Sequence, residues 1–156
     1  MRLPSLYKHV DGLGALRGLV AVLAVRELTE ELGRAAVGKS GNAALRALAD
    51  AYRSYARQHP GRYAAALQAP EPDDDALRAA SKAVLQVVVA VLDGYGLSGA
   101  DLVDATRVLR GTLHGFVSLE SAGGFGIPQD VDRSFDRVVA SLDAAFNSWS
   151  AGATAG

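Results

Sequence analysis

The chain contains no cysteine. That excludes a disulfide framework and any thiolate chemistry, and it fits a reducing compartment, so a cytoplasmic location is expected. A dominant charge is also missing. Sixteen basic residues stand against seventeen acidic ones, a formal net charge of −1, so nothing draws the whole molecule toward nucleic acid or an anionic membrane. No apolar run is long enough for a bilayer. Residues 83–92 are the most apolar stretch, well short of the ~20 residues a span needs, and read as a buried helix. A second run, residues 18–25, follows Arg17 as the core of a leader would. Arg26 and Glu27 close it and the helical pattern continues to Leu32, so it reads as helix interior. Period-two alternation is almost absent, which argues against sheet.

What is present is a globular composition, 49% hydrophobic and 21% charged over 156 residues, enough for one domain with a sizeable core. Apolar positions recur every three and four residues, so the fold class is all-α. After a short segment over residues 4–10, broken by Asp11 and Gly12, a helix is expected over about 13–37, with Leu16, Leu19, Val20, Leu23, Leu28 and Leu32 on its apolar side. Asn42 is a candidate cap for a helix over 43–59 carrying Leu45, Leu48, Tyr52 and Tyr55. Pro60 suits the first position of a short separate helix. Asp73, Asp74 and Asp75 place negative charge at the start of the next one, which runs to about residue 95 with Leu77, Val84, Leu85, Val88, Val91 and Leu92 inside. Ser98 is expected to cap a helix over 99–122, ended by the Gly123–Gly124–Phe125–Gly126 turn. Asp130 or Asp132 opens the last helix, which carries Phe135, Val138, Val139, Leu142, Phe146 and Trp149. Residues 150–156 read as a small-residue tail.

Reactive groupings are scarce. His114 has no other His, Cys or acid at metal-binding spacing on its helix, so neither metal binding nor catalysis is expected of it. The glycine turn follows a helix rather than a strand and lacks the spacing of a phosphate loop. Adjacent acids at a helix start serve the dipole rather than a metal. No cofactor, metal or enzymatic activity is expected. The remaining enzymatic alternative is a helical binding protein or enzyme using an internal cavity.

Two stretches carry a family resemblance. Ser5-Leu6-Tyr7-Lys8-His9-Val10 resembles the end of the recognition helix in TetR-family transcriptional repressors. Residues 109–120, the Gly123–Gly126 turn, Asp130 to Asp132 and Ser134-Phe135 resemble the closing helix pair of a TetR subfamily with a "WHG"-type ligand domain. His114-Gly115 falls on its His-Gly pair, and Thr112-Leu113 stands where a tryptophan often precedes that pair. The likeness covers Pro4 to Trp149. It implies a helix-turn-helix for operator DNA, and a helical domain that binds a small effector and dimerises through its last two long helices as a four-helix bundle. Residues 1–12 would then be a remnant of the DNA-binding domain, 13–150 the effector-binding and dimerisation domain, and 151–156 a flexible tail. In the family two helices precede the Ser5–Val10 run. The expectation is therefore a chain whose DNA binding is impaired by N-terminal truncation, with a misplaced gene start favoured over a natural one.

The resemblance implies phosphate contacts from Ser5, Tyr7, Lys8 and His9. It also implies a cavity, for which Tyr52, Tyr55, Tyr63, Leu67, Val88, Leu92, Leu109, Leu113 and Phe116 are the candidate lining. These are apolar walls with a few hydroxyls, suited to a small, hydrophobic effector; a filled core is the competing reading. Gly111 and Gly115 lie four apart, and each mid-helix glycine costs about 1 kcal/mol against alanine. Close approach of another helix would offset that cost. With Val108, His114 and Ser118, and with Val138, Leu142, Phe146 and Trp149 on the last helix, they form the candidate homodimer interface. A kinked monomeric helix is the competing reading.

Overall fold

The computed structural model describes residues 12–71 and 73–153. Ser5, Tyr7, Lys8 and His9 lie outside them. Among the described residues there are six helices and no strands: α1 (Gly12–Ala36), α2 (Gly41–Gln58), α3 (Pro60–Ala66), α4 (Asp75–Asp93), α5 (Gly99–Ser121) and α6 (Val131–Ala153). The all-α expectation is met. Helix ends fall within a few residues of those read from the sequence, with two differences. Ser40, not Asn42, stands at the N-cap of α2. The last helix runs on to Ala153, into the segment expected to be a tail.

Local chemistry sets the ends. The Asp74 carboxylate accepts from the Leu77 backbone N–H at 2.8 Å, satisfying one orphan donor of α4. Asp130 does the same for α6, accepting from Asp132 N–H at 2.9 Å. Pro60 sits in the first turn of α3, where no donor is lost. Gly123 closes α5 in the left-handed region, φ +70°. The Gly124 N–H then reaches back to the Leu119 carbonyl at 2.7 Å, the six-to-one bond of a Schellman cap.

Long α1 packs against α2, α3 and α4, while α5 and α6 pack against each other and against α2. The main core runs through all six helices, from Leu28 and Leu32 through Leu45, Leu48 and Leu92 to Leu109, Val117, Phe135 and Phe146. A smaller cluster joins the first half of α1 to the start of α4 through Ala21, Val22, Val25, Leu77 and Ala80. Where α4 ends, a β-carbon on Gly94 would lie 3.1 Å from the Gly41 backbone nitrogen, so the two helix ends meet without room for a side chain.

Two of the residues expected at an interface lie inside the chain's own core. Phe146 is fully enclosed within its own protomer, its ring edge-on to Tyr95 and Trp149. Leu142 is buried in the same core. Both are covered within the chain itself, Phe146 by Tyr95 and Trp149 and Leu142 by the main core. No described helix is long and apolar enough to cross a membrane.

Candidate ligand cavity and its polar surround

Between α1, α2, α4 and α5, and bordered by the end of α3, lies a hollow of about 60 Å³. Its walls include Leu28, Leu32, Leu48, Val84, Val88, Leu109 and Leu113, with Tyr52, Ala66, Leu67, Leu85 and Arg110. Helical spacing builds it. Leu28 and Leu32 are one turn apart on α1, Leu48 and Tyr52 on α2, Leu109 and Leu113 on α5, so each helix presents one short ridge to the same space. Leu67 is 45% exposed and Leu85 37%, which places both at the open end.

One side of this wall is polar. The Tyr52 and Tyr63 hydroxyls are 2.9 Å apart, and the Tyr63 hydroxyl lies 2.7 Å from His114 Nδ1. Ser118 Oγ, one turn along α5, is 3.4 Å from the same nitrogen. The four groups form a continuous relay from the hollow to the surface of α5, where His114 is exposed. Burial, reinforced by the bond to Tyr63, raises the Tyr52 pKa well above the ordinary phenol value. Burial raises that of Tyr63 also. Both hydroxyls therefore stay protonated at neutral pH and each can donate one hydrogen bond.

The expected lining is brought together in part. Tyr52, Leu67, Val88, Leu109 and Leu113 border the hollow, and Tyr63 touches it through Tyr52. Tyr55, Leu92 and Phe116 do not border this hollow. Tyr55 points toward α1, donating to the Ala24 carbonyl and to Glu27 Oε2 at 3.1 Å. Burial, with help from Glu27, pushes its hydroxyl up to about 12. Leu92 is wholly enclosed in the main core. Phe116 stacks on Phe125 and Phe135 at the far side of α5.

Phe116 belongs to a second constellation that sequence spacing did not reveal. Arg53, 9% exposed, donates to both carboxylate oxygens of Glu120, at 2.9 and 2.5 Å, and to Asp132 at 2.7 Å. Its guanidinium lies 4.7 Å from the Phe135 ring centre and 5.6 Å from that of Phe116. One side chain of α2 thus ties the end of α5 to the start of α6. The Arg53 hydrogen bonds hold the Glu120 carboxyl below its ordinary range.

On the outer side of α5, Val108 is 39% exposed and Gly111 and His114 are exposed, while Gly115 and Ser118 are half-buried. A β-carbon at Gly111 or Gly115 would meet nothing within 4 Å. Neither glycine is explained by packing inside the protomer. Val138 and Trp149 of α6 are half-buried. Among the described residues no group of three or more His, Cys, Asp or Glu side chains could hold a metal ion.

Comparison with known proteins adds the family. Residues 45–142 match the tetracyclin repressor-like, C-terminal domain family. The chain is 40% identical over 130 residues to the uncharacterized HTH-type transcriptional regulator Rv0681 of Mycobacterium tuberculosis, a match covering 83% of this chain and 58% of that protein. It is 34% identical over 133 residues to the uncharacterized HTH-type transcriptional regulator YobS of Bacillus subtilis, covering 84% of this chain and 68% of that one. The chain therefore spans roughly three-fifths to two-thirds of these relatives' length. The crystal structure of SCO4313 superposes with a TM-score of 0.75 at 25% identity, over 91% of this chain and 79% of the other. With the family match running from α2 well into α6, across every wall of the hollow except α1, this chain belongs to the tetracyclin repressor-like, C-terminal domain family.

Proposed function

We propose that the chain is the effector-binding and dimerisation part of a TetR-type transcriptional repressor, not an enzyme. A small, mostly apolar molecule enters the hollow between α1, α2, α4 and α5, and its binding alters how a homodimer presents its DNA-binding ends to an operator. On this reading residues 13–150 form the effector domain. Ser5, Tyr7, Lys8 and His9 belong to the DNA-contacting part, as the family resemblance implies.

The observation that carries this reading is the hollow itself, an apolar space with a hydroxyl relay along one side. At about 60 Å³ it is smaller than a typical ligand site of ~300–1,000 Å³ and must widen to accept a whole effector. The movable wall is α3 and the loop after it. This helix is the shortest of the six described and has one buried side chain, Tyr63; a ligand that moves it displaces its packing on α1 and the Arg62–Glu27 ion pair. Tyr63 is also the latch, because its hydroxyl bridges Tyr52 on α2 and His114 on α5. A ligand that lifts α3 disturbs His114 on the outer face of α5, where Gly111 and Gly115 leave room for a second subunit.

The test is a melting-temperature screen of small apolar molecules on the wild-type chain and on Leu85→Trp. Leu85 is part-exposed at the open end, so tryptophan there blocks entry while the fold persists. Compounds that raise the melting temperature of the wild type and not of the blocked variant support the reading. Hits that stabilise both equally refute the hollow as their site.

A further inference from the structure

Arg110 is the one charged residue among those bordering the hollow. It is exposed, so it stands at the solvent edge with its guanidinium free to turn inward. Arg107, the other arginine of α5, pairs with Asp104, and Arg53, which reaches α5 from α2, pairs with Glu120 and Asp132. Arg110 makes no ion pair among the described residues. Its positive field reaches the Tyr52 hydroxyl, where it favours the phenolate against the effects of burial. The open end thus combines an unneutralised cation, a neutral hydroxyl donor and two part-exposed leucines, Leu67 and Leu85.

Resting on the ligand-site reading above, we propose that the hollow selects an amphipathic monoanion. Its apolar body lies against Leu28, Leu32, Val88 and Leu113, and its carboxylate-like head is held by Arg110 and Tyr52. The guanidinium offers two parallel N–H donors to such a head. Tyr52 supplies a third through a reversal of the relay. With His114 Nδ1 unprotonated, Tyr63 donates to His114 and Tyr52 donates to Tyr63, leaving no proton for a ligand. With the proton on Nδ1, His114 donates to Tyr63, Tyr63 to Tyr52, and the Tyr52 hydroxyl is released to donate into the hollow. An anionic head favours the second polarity, and a hydrocarbon end favours neither. Charge at the head therefore becomes a change in hydrogen bonding at His114 on the outer face of α5.

The discriminating experiment is calorimetric titration of the chain with octanoate and with octan-1-ol, which share an alkyl body and differ in head charge. Octanoate is expected to bind about tenfold tighter or more, the scale of a charge-assisted hydrogen bond. Arg110→Gln should remove most of the preference for octanoate, leaving only the share that Tyr52 supplies. The exposed position makes that variant safe for folding. Tyr52→Phe should narrow the preference and leave part of it. Equal affinities in the wild type, a preference for octanol, or a preference undiminished in Arg110→Gln would overturn the anion assignment and leave the hollow as a site for neutral molecules. Failure of both probes to bind would overturn the assignment together with the ligand-site reading it rests on.

Discussion

Removing the charge of Glu120 while keeping its shape should loosen the joint between α2, α5 and α6 by a foreseeable amount. In Glu120→Gln, Arg53 loses one of two charge-assisted bonds to that residue, now at 2.9 and 2.5 Å. Such bonds contribute about 1.5–3 kcal/mol each. Breaking a fully buried pair costs roughly 3–5 kcal/mol because a charge is stranded. Arg53 is not stranded, since Asp132 remains at 2.7 Å. Asp132 is 74% exposed, however, so water screens it and it replaces little of what Glu120 provided. The expected loss is about 2 kcal/mol. For a domain of this size that lowers the melting temperature by roughly 4–8 °C.

The pH dependence supplies the sharper check. Glu120 has its pKa lowered from the ordinary 4.5 in the folded chain, first by the Arg53 hydrogen bonds. A carboxylate depressed on folding stabilises above its unfolded pKa and loses that contribution as pH falls through its folded pKa. The gap between wild type and Glu120→Gln should be full at pH 7, begin to close below about 4.5, and be small once Glu120 is protonated in both states. Calorimetric melts across this range, at fixed protein concentration because association shifts melting temperatures, provide the readout. A variant as stable as wild type at pH 7, or a gap that does not narrow in acid, refutes the reasoning.

Two other perturbations probe the remaining parts of the account. Tyr63→Phe removes the shared hydroxyl between Tyr52 and His114, and should cost about 1–2 kcal/mol; hydrogen exchange should show a larger loss of protection in α3 than in α2, and equal protection of α3 in both proteins would contradict the latch. Gly115→Leu adds a side chain where a β-carbon meets nothing within 4 Å and improves helix propensity by up to about 1 kcal/mol, so the protomer should melt no lower; sedimentation should show the wild type as a dimer and the variant as a monomer, and a variant that still dimerises would place the seam elsewhere.

The helices and their order were legible in the sequence because a period near 3.6, a proline at the start of α3 and acids at the starts of α4 and α6 are local signals. That Leu109 and Leu113, or Leu48 and Tyr52, share a face was legible for the same reason, from spacing alone. Tyr55 lies three residues from Tyr52 on the same helix. That is close to one turn but rotated enough to face α1 and Glu27. Phe146 looked like an interface residue because a large aromatic near the end of a terminal helix has no evident cover. Its cover is Tyr95, 51 positions earlier in the sequence and visible only in three dimensions. Arg53 was missed because its partners Glu120, Asp132 and Phe135 are distant in sequence and no local pattern marks them. Arg110 gave no signal either, as an arginine on a long helix normally faces water.

A ligand held in the space walled by α1, α2, α4 and α5 should perturb the side chains that line it. Methyl-labelled protein titrated with octanoate and octan-1-ol, followed by two-dimensional carbon–proton spectra, tests it most directly. Shifts are expected at Leu28, Leu32, Leu67, Leu85, Val88 and Leu109, and none in Leu85→Trp. Shifts gathered instead around Ile127 and Leu119 at the α5–α6 turn, with the methyls of the hollow unmoved, would contradict it.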